Sequence, residues 1–341
     1  MKLKLPYIFI FCTVLSCCCR QTCAPENPSI DCCVTVNVAQ DLSTKVIFED
    51  DAAARASEGS LSSLEVFIFS ADGSTLEGHA RSQGAASLDV TCKSGEKAVA
   101  ALVNAPDMSD CTTLENLRKK EVRLEAMSAD KIVMYGEKGA YIEGSTTVSV
   151  DVSKILSRVV IRSVENRFSL ASLQAKEFRI TGIYLLNVQG ANSLSLNSYQ
   201  DGAGVWYNKM KNENSAVKSL VSDTVGKTLS YGSTLEESHY FYAMPNDFAS
   251  SAAVPDLHGG SWAKRYTRLV VEATLDSEKM YYPISLTSLK GNTSYEIEKL
   301  VITKKGSSDP DTPVDSEDVS FDVTVKPWDV VLLGQDGVVT I

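Results

Sequence analysis

An isolated arginine near the N-terminus is the residue in this sequence most open to chemistry. Arg55 lies among small residues, between an alternating segment, Val34 to Val38, and a strongly β-patterned run, Leu61–Phe69. A basic side chain in such a stretch is where a trypsin-like protease could cut a folded protein. The cut would let the first strand leave and open a groove, which the similarly alternating segment Phe321–Ile341 of a neighbouring copy could fill. The alternative is that Arg55 is an ordinary loop residue and that residues 34–48 form a permanent edge strand.

A second chemical signal lies in the first residues, which have the layout of a secretory signal. Lys2 and Lys4 precede an apolar run, Leu5–Ser16, that is too short to span a bilayer comfortably. Val-Leu-Ser-Cys ending at Cys17 resembles a bacterial lipobox, and the register ending at Cys18 competes with it. Either cysteine would carry the lipid, a palmitate-type chain that anchors the protein to a membrane without spanning it. An ordinary signal peptide followed by chance cysteines is the alternative.

The other cysteines and the histidines give no catalytic or metal-binding pattern. Of nine cysteines, only Cys92 and Cys111 lie beyond Cys33, and no CxxC motif occurs. A Cys92–Cys111 disulfide and two buried free thiols are both open. The three histidines lie far apart, and HExxH, GxSxG and P-loop motifs are absent. We therefore expect no enzymatic activity, no cofactor and no metal, although a triad assembled only in space would escape this test.

Length and charge limit the remaining classes. The 341 residues suffice for two domains of ordinary size, and a hydrophobic content of 44% is typical of a globular protein. The formal net charge of −10 argues against nucleic acid as the main partner, because phosphate binding needs a basic patch. This charge is compatible with a secreted surface protein.

Most of the chain after Arg55 reads as strands separated by turn residues. Leu114–Ala126, preceded by two threonines as candidate N-caps, is the best helical segment. We predict an all-β fold of two tandem antiparallel β-sandwiches with few short helices. The predicted strands after Leu61–Phe69 are Ala98–Val103, Thr146–Val152, Arg158–Val164, Phe178–Leu186, Tyr240–Met244, Thr267–Leu275, Tyr281–Leu286, Tyr295–Thr303 and Val319–Val325.

The order of these signals divides the chain into four parts. Residues 1–23 form the leader, 24–55 a pro-segment with the removable strand, 56–153 the first β-sandwich domain, and 154–341 the second. Within the second domain, residues 187–237 read as an insertion or surface loops. Residues 306–318 read as a solvated linker, and this reading is favoured over a cation site formed by its aspartates, Asp309, Asp311, Asp315 and Asp318.

The aromatic residues allow two interpretations. They could form a carbohydrate-binding face by stacking on sugar rings, or they could fill the cores of the sandwiches with their polar tips in water. Core packing is the favoured interpretation for the set, which comprises Trp206, Tyr207, Trp262, Tyr266, Tyr281, Tyr282 and Trp328.

Several segments together resemble the Bacteroidales major fimbrial subunits, the fimbrillins or type V pilins. The resemblance covers almost the whole chain, including the lipoprotein-type leader, and depends on the order and spacing of its segments rather than on one motif. The cysteine-dense leader, with Cys32-Cys33 beside the first strand, departs from the family. The segments are Arg55–Gly73, Ile183–Asn187, Tyr240–Asn246, Asn292–Leu300 and Phe321–Asp336.

The resemblance implies a structural, polymerising protein with two transthyretin-like domains. The precursor would be lipidated and held at the outer membrane, and an arginine-specific protease would cut the Arg55–Ala56 bond. The C-terminal strands of another subunit would then fill the groove by β-augmentation. The expected partners are further copies, related fimbrial subunits, the processing protease, and receptors on host or bacterial surfaces, with the fimbria on the cell surface supporting adhesion.

The alternating apolar residues of the two segments are the side chains that would take part in this exchange. Three side chains of the leaving strand share one face, Val34, Val36 and Val38. The candidate donor side chains form two groups, Phe321, Val323 and Val325, then Val338, Val339 and Ile341. The apolar ending favours a shaft subunit over a tip or anchor subunit. A monomeric surface lipoprotein that binds glycans or host protein is the alternative of a different class.

Overall fold

The structure is a computed structural model of the whole chain. It describes residues 30–40, 57–195, 205–212, 217–248, 262, 264–312, 314, 330–332 and 338–340. Within these ranges, no helix is both long enough and apolar enough to cross a membrane.

Among the described residues of the first half, eight strands and one short α-helix have defined bounds. A 3₁₀ turn, Leu124–Ala126, follows the sixth strand. The elements are β1 (Asp31–Gln40), β2 (Ser63–Ser70), β3 (Leu76–Gln83), β4 (Ser87–Lys93), β5 (Gly95–Val103), α1 (Leu114–Lys119), β6 (Glu121–Arg123), β7 (Met134–Ile142) and β8 (Thr146–Lys154).

Seven of these strands form one folded-over sheet in the order β3-β2-β5-β7-β8-β1-β4. The bend falls between β7 and β8, which pair only at Met134↔Lys154 and Tyr135↔Ser153 before they diverge. Beyond the bend, β8, β1 and β4 pack over β2, β5 and β7 with one apolar core between the layers. The result is a β-sandwich in which β1 is an interior strand.

The part of the second half that the structure describes contains the remaining strands and two short helices. Their bounds are β9 (Ser157–Ile161), β10 (Val164–Asn166), α2 (Ala171–Gln174), β11 (Phe178–Leu186), β12 (Val188–Gln189), β13 (Ala191–Ser193), β14 (Trp206–Tyr207), α3 (Lys218–Val221), β15 (Ser222–Thr228), β16 (Thr234–Leu235), β17 (His239–Ala243), β18 (Thr267–Leu275), β19 (Glu278–Leu286), β20 (Thr293–Ile297), β21 (Lys299–Ile302), β22 (Val330–Leu332) and β23 (Val338–Thr340).

Three four-stranded sheets organise this half. Their orders are β15-β11-β18-β19, β17-β9-β20-β22 and β16-β10-β21-β23. The first is antiparallel, whereas β20 and β21 pair in parallel with strands on both of their sides. The all-β prediction with few short helices is therefore confirmed, and parallel pairs occur beside the antiparallel ones that the sequence indicated.

Two large apolar cores hold these layers together, beside a small third cluster in the second half. The smaller lies inside the first sandwich and includes Leu64, Val66 and Ile68 of β2. The larger begins on the opposite face of β2, with Phe67 and Phe69, and continues through the sheets of the second half. Because β2 is covered on both faces, four of its residues in succession, Val66 to Phe69, are apolar rather than alternating with polar ones.

The helix predicted over residues 114–126 is shorter in the structure. Thr113 is the N-cap, and its hydroxyl accepts a 3.1 Å hydrogen bond from the backbone N–H of Asn116. The helix ends at Lys119, and the next residues form β6, which pairs with β13. Strand pairing across the molecule overrides the weak helical pattern of this stretch.

Two segments expected at the surface are packed in part. Within 187–237, Asn187, Gln189 and Ala191 are buried. In the segment expected to be a solvated linker, Asp311 is 4% exposed and forms ion pairs with Arg265 at 2.5 Å and Arg268 at 2.6 Å. The prediction was wrong for this part because paired charges can be buried where a lone aspartate cannot.

The favoured interpretation of the aromatic residues agrees with the structure where they are described. Trp206, Tyr266 and Tyr282 are buried, and Trp206 lies 5.2 Å from Trp262 between ring centroids. Trp328 lies outside the described residues.

Candidate functional site

The first strand, β1, lies between two neighbours that run in opposite directions. It pairs antiparallel with β4, with Val34 opposite Val90 and Val36 opposite Leu88. On its other side it pairs in parallel with β8, with Val36 opposite Val148. Removing β1 would therefore expose two unpaired strand edges and leave a slot one strand wide.

The side chains of β1 that face inward complete the core of the first sandwich. Val34 and Val36 are fully buried, whereas Val38 is partly buried at the end of the row. They contact the cluster that contains Leu64 and Val66 of the facing layer. The slot left by β1 would thus have an apolar floor that fits alternate side chains of an incoming strand.

Polar contacts fix the register of β1 along its length. The Ser94 N–H donates a 2.8 Å hydrogen bond to the Ile30 carbonyl, and the Val38 N–H donates to the Ala86 carbonyl at 3.1 Å. Between them, the Thr35 hydroxyl donates to Asp89 at 2.6 Å on the outer face. A one-residue slip would break these contacts and turn the valines outward.

The C-terminal strands occupy a different kind of position. β22 pairs in parallel with β20, with Tyr295 opposite Val331, and β23 pairs in parallel with β21, with Leu300 opposite Val339. Each is three residues long and is the last strand of its sheet. Each is therefore held along one edge, whereas β1 is held along two.

A buried cluster of charges lies just downstream of Arg55 in sequence. Glu58, which is 2% exposed, accepts a 2.7 Å hydrogen bond from the Tyr242 hydroxyl and lies 3.4 Å from the Arg158 guanidinium. Arg158 also binds Glu296 at 3.0 Å, and Glu296 binds Arg162 at 2.5 Å. Glu58 is thus fixed directly to β9 and β17 of the second half and, through Arg158, to β20.

This cluster was not predicted from the sequence, although the sequence contains an indication of it. Arg158 and Glu296 each interrupt a run of apolar strand residues, in Ser-Arg-Val-Val-Ile and Tyr-Glu-Ile. A charge within a buried strand requires a partner, so such interruptions point to an ion pair. Burial raises the pKa of the Tyr242 phenol, and the negative charge of the nearby Glu58 carboxylate raises it further, because both disfavour the phenolate.

Several predicted site residues fall outside the described part of the chain. They are Cys17, Cys18, Arg55, Ala56, Phe321, Val323, Val325 and Ile341. Val338 and Val339 lie in β23, and Val34, Val36 and Val38 lie in β1. The structure therefore describes the proposed leaving strand and part of one proposed donor segment.

The cysteines and histidines that the sequence singled out are separated. Cys92 and Cys111 are free thiols in different cores, and the residue opposite Cys92 is Cys32. His79 contacts Glu65 at 2.9 Å, and His239 contacts Asp223 at 2.7 Å. His258 lies outside the described ranges. The two described histidines therefore form separate carboxylate pairs.

Comparison with solved structures places this architecture among known folds. A fimbrilin from Porphyromonas gingivalis W83 superposes with a TM-score of 0.58, at 13% identity over 82% of this chain and 92% of that chain. The chain has the fold of a fimbrilin. The resemblance predicted from the sequence is confirmed at this level.

Two solved structures of candidate cell adhesion proteins also superpose on this chain. The one from Bacteroides eggerthii DSM 20697 has a TM-score of 0.62, at 15% identity over 90% of this chain and 99% of that chain. The one from Parabacteroides distasonis ATCC 8503 has a TM-score of 0.57, at 16% identity over 83% and 91%. No protein-family model matches the sequence, and no relative was found among curated proteins.

Proposed function

We propose that this chain is a structural subunit of a bacterial surface fimbria that polymerises by exchange of β1. The precursor is exported, lipidated at Cys17 or Cys18, and held at the outer membrane until an arginine-specific protease cuts the Arg55–Ala56 bond. The C-terminal segment of another copy then enters between β4 and β8. The role is structural rather than enzymatic, and the filament supports adhesion.

The observation that carries the proposal is the position of β1. A ten-residue strand, linked in sequence to an isolated arginine, fills an interior slot whose two walls belong to the rest of the chain. An incoming strand that runs in the same direction as β1 can make the same backbone hydrogen bonds. The fimbrilin fold of the chain supports the same reading.

Energetics explain why a cut must precede the exchange. Burial of Val34 and Val36 contributes roughly 3–6 kcal/mol before entropy is counted. While β1 is covalently joined to β2, its effective concentration at the slot exceeds that of any other chain. Cleavage removes this advantage, so a donor strand of comparable apolar content can compete.

The two ends of the chain differ in the way that exchange requires. The C-terminal strands are short and edge-bound, so they can detach without opening the interior of a sheet. The first residues of the mature chain are instead fixed by Glu58 in the buried charge cluster. Cleavage would therefore free β1 without loosening the N-terminus that remains.

The remaining parts of the proposal concern organisation and partners. We assign residues 56–153 and 154–341 to two domains, with the boundary at the end of β8. Related fimbrial subunits join the same polymer. Receptors on host or bacterial surfaces are contacted through loops of the 187–237 segment.

Substitution of Arg55 tests the cleavage step. Arg55→Lys protein should stay monomeric with an arginine-specific protease and form filaments when a lysine-specific protease is added. Electron microscopy and sedimentation give the readout, and Arg123→Lys, at an exposed position, is the control. Filaments of Arg55→Lys protein without the second protease would refute the cleavage step. A monomeric glycan binder would be indifferent to both changes.

Truncation tests the donor step. Deleting Val338–Ile341 removes β23, which lies at a sheet edge, and should block assembly of cut protein while circular dichroism shows an intact fold. The truncated protein should still accept the tail of an intact copy and form short capped chains. Full-length filaments made of truncated protein alone would contradict the assignment of the donor segment.

A further inference from the structure

One cysteine of the removable strand β1 lies opposite a cysteine of β4, a strand that remains after cleavage. Cys32 of β1 lies directly opposite Cys92 of β4 in the antiparallel register. In the structure both are reduced thiols, 3% exposed, and they belong to the core of the first sandwich. Cys33, the next residue, is exposed and lies opposite Thr91.

The register puts this pair within reach of a disulfide. Because Ser94 donates its N–H to the Ile30 carbonyl, pairs two residues along the ladder, including Cys32 and Cys92, are hydrogen-bonded pairs. Their Cα atoms are about 5.5 Å apart in regular sheets. Disulfides span Cα distances of about 4.4–6.8 Å, but their Cβ atoms lie about 3.5–4.5 Å apart, closer than is usual in hydrogen-bonded pairs. A bond here would therefore be strained and more readily reduced, as a lock that has to open requires.

We propose that Cys32 and Cys92 form a disulfide that locks β1 to β4, so that release of β1 requires reduction as well as proteolysis. The proposal rests on the proposed function, in which β1 is the leaving strand. Arg55 lies inside the loop that this bond closes, between residues 32 and 92. Cleavage at Arg55 would therefore nick the loop while the cut strand stays covalently attached.

The bond forms by thiol–disulfide exchange with an oxidised partner, either the disulfide of an oxidoreductase or a small-molecule disulfide. The thiolate of one cysteine attacks the partner's disulfide, which forms a mixed disulfide and expels one partner thiolate. The thiolate of the other cysteine then attacks the protein sulfur of the mixed disulfide and expels the second. Two protein thiols are oxidised, one partner disulfide is reduced to two thiols, and the two protons pass to solvent and the expelled thiolates.

Burial controls when this exchange occurs. Desolvation raises the pKa of the Cys92 thiol, and the nearby Glu77 carboxylate adds to the effect, so little thiolate is present once the strand is docked. Oxidation of the pair is therefore expected to be faster before β1 seals the core than after it has docked.

A non-reducing peptide map of the full chain tests the bond without any variant. Protein folded in an oxidising compartment is denatured, its free thiols are alkylated, and it is digested without reductant. The peptide with Cys92 should be linked to the peptide with Cys32 and Cys33, and Cys33→Ser should leave the link intact, whereas Cys32→Ser should abolish it. Alkylation of both Cys32 and Cys92 before reduction, or a link that depends on Cys33, would overturn the proposal.

The lock itself is tested on oxidised protein cut at Arg55. The N-terminal fragment should stay with the body on a denaturing gel without reductant and should be lost after reduction, and Cys32→Ser should lose it without reductant. Escape of the fragment from oxidised wild-type protein would overturn the lock. If released Cys32→Ser protein fails to polymerise, the proposed function fails while the peptide map still decides the bond.

Discussion

Glu58 and Tyr242 lie 184 positions apart in the chain and share a hydrogen bond of 2.7 Å inside the buried charge cluster. Glu58 follows Arg55 by three residues, and Tyr242 lies in β17. The start of the proposed mature chain is therefore tied to the second half of the molecule. Cleavage at Arg55 would therefore release β1, while the segment that contains Glu58 would stay bound to β17.

Removing the Glu58 carboxylate should strongly destabilise the protein. In Glu58→Ala, Arg158 and Lys154 lose a partner in a site that excludes water, and breaking a buried ion pair from one side costs about 3–5 kcal/mol. Denaturant unfolding measures the change. Glu115→Ala, which breaks an exposed pair with Lys119, should cost about 0.5 kcal/mol or less. Equal losses in the two variants would refute the role of the cluster.

A polar change on the inner face of β1 should ease the strand's release. Val36→Thr keeps the β-branched shape but buries a hydroxyl among apolar side chains, which costs roughly 1–3 kcal/mol. After cleavage, the strand should dissociate faster, as followed by a fluorophore on the N-terminal fragment under reducing conditions. Asn37→Thr, on the opposite face, is the matched control. Unchanged dissociation in Val36→Thr would mean that the core does not hold β1.

Gly136, near the bend between β7 and β8, should not accept a side chain. A Cβ atom added at Gly136 would lie 2.0 Å from the Asp151 carbonyl oxygen, whereas one at Gly139 of the same strand meets no atom within 4 Å. Gly136→Ala should cost about 1–3 kcal/mol or more through forced backbone shifts, and Gly139→Ala should be close to neutral. Thermal or urea unfolding of the two variants checks this. Similar stabilities would contradict the close approach at the bend.

Asp72, in the turn between β2 and β3, should contribute less to the stability of the protein in acid. Hydrogen bonds from the hydroxyl of Ser70 and from the N–H and hydroxyl of Ser74 lower the pKa of Asp72 to about 2 from its ordinary 3.8. A carboxyl whose pKa is depressed on folding stabilises the protein above pH 3.8, and this contribution is lost as the pH falls toward 2.

The stability gap between wild type and Asp72→Asn should therefore shrink between pH 5 and pH 2, which urea unfolding at several pH values measures. Ser70→Ala removes the largest cause of the shift, so the folded-state pKa of Asp72 should move back toward 3.8, and the loss of stability should be smaller and complete at a higher pH. A gap that stays constant across this range would contradict the assignment.

Local pattern was enough to find most strands of this fold. β11 and β18 have the predicted bounds, Phe178–Leu186 and Thr267–Leu275, because long β-rich runs with turn residues at both ends leave little choice. Two other predicted strands, Arg158–Val164 and Tyr295–Thr303, are each divided in two in the structure. They break at the same level, where Arg162 donates its N–H to Ile297 and Leu300 donates to Ser163.

The position of β1 and the buried charges depended on contacts that periodicity cannot encode. The alternation of Val34 and Val36 indicates a half-buried strand, but not that it lies between β4 and β8 or that one of these pairs is parallel. Likewise, Cys32 and Cys92 are 60 positions apart, and only the strand register makes them neighbours. Such facts come from pairing between distant segments rather than from the composition of either one.

The composition of purified fibres tests the exchange of β1 most directly. Precursor is cut at Arg55 and assembled under reducing conditions, and the washed fibres are analysed by quantitative mass spectrometry for peptides of residues 30–55 and 330–341. The account predicts that the first group is absent and that the second is present in equal amount with the rest of the chain and protected from added protease. Fibres that retain residues 30–55 in equal amount would contradict it.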